Sequence, residues 1–196
     1  MRRYIYFVFL LCCAVNLLLT SCVRQKYVVM DMVHHNPGEA MTESKFLDPS
    51  FLKKNEYGAK VFFLFEAAQF GIDWKSFDPS LFPDTTEAGR WVAEKAEIIH
   101  KKYDAAKKED LQVYCMLDML VLPSSLVEKH RAELTNEQGK LDISKPYTQL
   151  CIRELMKEMF ETFPQLDGLV IRTGETYLHD APYYVGNHPV QNGMYD

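Results

Sequence analysis

The chain has 196 residues, 47% of them hydrophobic, with 27 Asp and Glu against 22 Lys and Arg for a formal net charge of −5. That length supports one domain with a substantial core. The acidic balance, without a long run of Lys or Arg, argues against nucleic acid or anionic headgroups as partners.

Arg2 and Arg3 precede an apolar run over 5–18, and Leu19-Thr20-Ser21-Cys22 follows it. A basic start, an apolar middle and a small residue at the end make a secretory signal. The ending resembles the bacterial lipobox, in which the cysteine is lipidated and becomes the new N-terminus. The expectation is a signal peptide over 1–21, lipid on Cys22, a short tether over 22–26 and a folded domain over 27–196. The protein would then be secreted across the inner membrane and anchored by its lipid in the bacterial cell envelope, at the outer membrane. An uncleaved span needs about 20 apolar residues, and Asn16 interrupts this run. Cys12 and Cys13 would leave with the signal. Cys115 and Cys151 lie in apolar periodic stretches and read as buried thiols, not as a disulfide framework.

Residues 27–33, Tyr-Val-Val-Met-Asp-Met-Val, read as a first strand ending in the polar corner His34-His35-Asn36-Pro37-Gly38. A short helical piece starts at Asp48-Pro49. Residues 60–65 form a continuous apolar run after Gly58, as strands buried on both faces do. The clearest helix spans 86–110, where Val92, Ala96, Ile99, Tyr103 and Ala106 recur at helical spacing opposite Glu94, Lys95, Lys101 and Lys102. A strand over 111–117 closes at Asp118. Residues 124–140 are polar and mixed, with a turn at Gly139 and Ser124-Ser125 on the surface. Ser144-Lys145-Pro146 starts a second long helix, lined by Ile152, Leu155, Met159 and Phe163 and stopped by Pro164. Residues 167–172 form a fourth strand.

This alternation predicts an α/β fold of parallel βα units with right-handed crossovers. Two architectures fit: part of a (β/α)8 barrel, or an open doubly wound sheet that could be flavodoxin-like and complete at four strands. No glycine-rich phosphate loop follows a strand, since Gly71 and Gly174 stand singly, so no dinucleotide cofactor is expected. The strands end instead in ionisable residues: His34 and His35, Glu66, Asp118, then Arg172 and Glu175. In a barrel such ends share one rim, where catalytic groups collect. A full barrel takes about 250 residues and eight strands. Four are readable here, so the expectation is the N-terminal half of one.

The densest chemistry is the run Arg172-Thr173-Gly174-Glu175-Thr176-Tyr177-Leu178-His179-Asp180. Arg172 can hold a carboxylate or a substrate oxygen in its fork, and Glu175 can act as a general acid if burial raises its pKa. The bland alternative is an ion pair that ties down a loop. The following segment, Pro182-Tyr183-Tyr184-Val185-Gly186-Asn187-His188-Pro189, carries the aromatic faces and amides that suit a sugar. Adjacent His34 and His35 point to opposite faces of a strand and lack further ligands at metal spacing, so no metal is expected. His34, His35, Asn36, Glu66, Tyr177 and His179 are candidate substrate contacts, and Asp118 joins Glu175 and Arg172 as a candidate catalytic group.

Residues 31–38 (Asp-Met-Val-His-His-Asn-Pro-Gly), 118–123 and 166–177 resemble a group of bacterial surface lipoproteins described as glycoside-hydrolase-like (β/α)8-barrel proteins. Arg172-Thr173-Gly174-Glu175 is the most specific part. The resemblance implies a carbohydrate partner and places Glu175 where barrel glycosidases carry the general acid, after strand four. Their second carboxylate comes from a later strand, often the seventh, for which this chain shows no counterpart. A non-catalytic carbohydrate-binding lipoprotein using the same rim is the alternative.

Overall fold

A computed structural model describes residues 29–31, 45–63, 66–172, 176, 178 and 181–187. The first strand, β1, spans Met30–Asp31. A 3-10 turn at Lys45–Leu47 leads into α1, Pro49–Lys54, whose start is fixed by Pro49 and by the Asp48 carboxylate accepting from the Ser50 N–H at 2.9 Å. Strand β2 covers Ala59–Phe62, shorter than the apolar run predicted. A second 3-10 turn, Ala68–Gly71, is wholly buried.

Helix α2, Glu87–Lys108, is the long amphipathic helix expected. Thr86 Oγ1 caps it by accepting from the Gly89 N–H at 3.0 Å. Glu87 in its first turn and Lys107 and Lys108 in its last complement its dipole. The start is packed closely: a Cβ added at Gly89 would lie 2.1 Å from the Pro83 carbonyl oxygen. Strand β3, Gln112–Asp118, follows, then a short β4, Val121–Pro123. The polar stretch beyond holds two short helices that its composition did not signal, α3 (Ser124–Lys129) and α4 (Arg131–Leu134). Gly139 turns the chain at a φ of +74°, as predicted. Helix α5, Pro146–Thr162, begins at Pro146 and ends before Phe163. Strand β5 is Gly168–Arg172, and β6, Tyr184–Gly186, pairs antiparallel with β4.

The main sheet has four strands in the order β1-β2-β3-β5, all parallel. Order in space follows order in the chain, with no reversal among the described strands. The switch point of a doubly wound sheet is therefore absent from them. Phe163, just past α5, meets His100 and Tyr103 of α2 at ring distances of 4.5 and 5.6 Å, so α2 and the end of α5 lie on the same side.

Alternation and register sort the strand residues onto two faces. Phe62, Val113, Cys115 and Leu117 join the helices in one core, where Tyr103 packs 4.7 Å from the Phe62 ring. Ala59, Val61, Met116, Asp118 and Arg172 take the other face, and Ala59, Val61 and Met116 are buried there too. Burial on both faces is why β2 and β3 read as near-continuous apolar runs. Cys115 and Cys151 are free, buried thiols as expected, and burial pushes both up to about 11. A thiol held there stays protonated at neutral pH and is a poor nucleophile. No helix among the described residues is long and apolar enough to cross a membrane.

Candidate functional site

Asp118 ends β3 and Arg172 ends β5, and the two are partners on the last rung of the ladder. Paired residues of neighbouring parallel strands project to the same face, so the carboxylate and the guanidinium meet side by side. Arg172 Nε donates to Asp118 Oδ1 at 2.5 Å, and Nη2 donates to Oδ2 at 2.8 Å. Their side chains are 18% and 5% exposed. A carboxylate buried to that degree must be neutralised, and the two-point fork is the strongest way to do it.

Phe63 completes the constellation. It follows β2, on the same face by alternation, and Arg172 Cζ lies 5.2 Å from its ring centroid. The ring offers its negative π-face to a guanidinium already drawn toward Asp118. The ends of three successive parallel strands thus place an aromatic ring, a carboxylate and an arginine at one edge of the sheet. Phe63 was hidden in the sequence because a continuous apolar run does not show which of its members faces which way.

Glu66 is not brought to this group. Its carboxylate pairs with Lys102 of α2, and Tyr103 Oη donates to its backbone carbonyl at 2.8 Å, which sets it on the helix side of the sheet. The aromatic segment near the chain end divides likewise. Tyr184 is buried among Phe70, Phe82 and Trp91, with ring distances of 5.1, 5.7 and 6.1 Å. Its hydroxyl donates to the Gln69 carbonyl at 3.3 Å, and burial raises its pKa far above the phenol range. Asn187 clamps Leu141, accepting from its N–H at 2.7 Å and donating to its carbonyl at 3.1 Å. These two hold the β4–β6 ribbon in place. Tyr183 stays half-exposed, 5.7 Å from Trp91. Cys22, His34, His35, Asn36, Glu175, Tyr177 and His179 lie outside the described residues.

No protein-family profile matches the chain, and no curated protein matches it either. Among solved structures it is similar to a noncanonic maltogenic alpha-amylase from Thermotoga neapolitana, with 17% identity and a TM-score of 0.41 over 72% of this chain. The chain spans 38% of that structure's length.

Proposed function

We propose that the chain is the N-terminal half of a (β/α)8 barrel that acts on a poly- or oligosaccharide, with Glu175 as general acid. One observation carries this reading. Four parallel strands wind in one direction, and Phe63, Asp118 and Arg172 converge where three of them end. Catalytic groups of barrels gather at that edge. In the sequence, Glu175 comes three residues after Arg172, the last residue of β5.

In this reading Glu175 protonates the glycosidic oxygen of the leaving group. Arg172, fixed by Asp118, marks the wall against which Glu175 and the substrate hydroxyls are oriented. A second carboxylate, supplied by a later strand of the complete barrel, would stand about 5–5.5 Å away for retention or about 6.5–9.5 Å for inversion. Cys22 carries lipid and holds the domain at the cell envelope, after export directed by residues 1–21.

A second reading has its own support. Both oxygens of Asp118 accept from Arg172, so this carboxylate orients the arginine instead of meeting the substrate. The same edge would then bind sugar without cleaving it. Reducing-end release by the complete protein separates the two. Replacing Glu175 with Gln should lower release by about 10²–10⁴-fold, and release unchanged by Glu175→Gln would sink the catalytic reading. Glycan retention without any release would establish the binding reading instead.

A further inference from the structure

A groove opens on the helix side of the sheet, on the opposite face from Asp118 and Arg172. It encloses about 430 Å³ between α2, β2 and the turn before α1. That volume falls within the range of about 300–1,000 Å³ typical of small-molecule sites. Leu47, Pro49, Phe62, Ile98 and Ala105 give it an apolar lining, and only Phe62 among them is aromatic. Ile98 is 48% exposed, on a helix whose other outward positions include Glu94, Lys95, Lys101 and Lys102.

The charged side chains of the wall are Lys60, Lys101, Lys102 and Glu66. Glu66 is matched by Lys102. Lys60 is a lysine inside a strand, only 3% exposed. Its ammonium donates to the Phe46 carbonyl at 3.0 Å and lies 5.5 Å from the Phe62 ring centroid. With Lys102 paired to Glu66 and the Lys60 ammonium held at the Phe46 carbonyl, Lys101 is the charged group that stands exposed at the mouth of the aliphatic slot among the described residues.

We propose that this groove binds a medium-chain alkyl carboxylate, with its chain laid along Ile98, Leu47 and Ala105 and its head toward Lys101. Aliphatic walls favour an alkyl chain over a flat ring. Lysine supplies a compact point charge for a small anionic head. This site is independent of the carbohydrate reading.

The test is calorimetric titration of the full chain with decanoate below its micelle concentration, alongside decanol and acetate. Decanoate should bind, decanol at least tenfold more weakly, and acetate not at all. Ile98→Glu, at an exposed position, should abolish decanoate binding with the melting temperature preserved. Lys101→Glu should weaken it several-fold, and Ala105→Trp, which fills the slot, should abolish it. The proposal is overturned if the wild-type chain takes up no decanoate, if decanol binds equally well, or if Ile98→Glu and Ala105→Trp bind as the parent does.

Discussion

Arg172 and Asp118 lock together across the last rung of two neighbouring strands, in a two-point ion pair at 2.5 and 2.8 Å. Because both ends are largely buried, removing one partner leaves a charge that water cannot fully solvate. Asp118→Ala or Arg172→Met should each cost about 3–5 kcal/mol in urea unfolding, while the double change Asp118→Leu/Arg172→Met should cost less than either alone. Additive losses would show that the two side chains act separately.

Glycine at a helix start is ordinarily improved by alanine, by up to about 1 kcal/mol. At Gly89 the sign should reverse, because the new Cβ would meet the Pro83 carbonyl oxygen at 2.1 Å and backbone cannot swing aside. Gly71→Ala should be milder, at about 1–3 kcal/mol. Its nearest obstacle is the Phe163 ring edge at 2.7 Å, although the Ala96 backbone at 3.0 Å limits the relief. Thermal melts of both variants measure the order.

Glu158 on α5 is buried and accepts from Ser76 Oγ at 2.5 Å. Burial is the largest influence on its carboxyl and raises its pKa above the ordinary 4.5. A raised carboxyl pKa means the folded state prefers the protonated form. Its favourable contribution is complete below pH 4.5 and is lost as pH rises through the folded value. Glu158→Gln should therefore stabilise the protein at pH 7.5 and change little at pH 4, as read by urea titrations at the two values.

Asp78 behaves in the opposite sense. The Lys129 ammonium, with the Ser80 hydroxyl and N–H, holds its carboxyl down at about 2 from the ordinary 3.8. That contribution is present above pH 3.8 and drains away as pH falls toward 2. Lys129→Met should flatten the stability profile over that acid window and leave its shape above pH 5 unchanged.

The parallel βα order, the starts of α1 at Asp48-Pro49 and of α2 at Thr86, and the start of α5 at Pro146 were legible in the sequence, because each has a local cause. The period of α2, the proline at α5 and the apolar runs of β2 and β3 need no tertiary information. The β4–β6 ribbon was not legible, since Val121–Pro123 and Tyr184–Gly186 are three residues each and pair across some sixty residues of chain. Asp118 and Arg172 could be named from the sequence, but their partnership could not. It arises from the β3–β5 register, which no local pattern encodes. Glu66 misled for a similar reason: ending an apolar run did not reveal that Lys102, 36 residues on, would draw it to the helix side.

Oligosaccharide binding by Arg172→Lys against the parent chain is the most direct test of whether the edge carrying Phe63, Asp118 and Arg172 holds a sugar, as proposed. Lysine keeps the charge but loses the fork, and a melting curve for each protein guards against simple unfolding. The parent should retain at least one oligosaccharide from a glycan array, and Arg172→Lys, folded, should bind it tenfold or more weakly. A parent chain that retains no glycan, or an Arg172→Lys variant that binds as tightly as the parent, would rule out a sugar site at this edge.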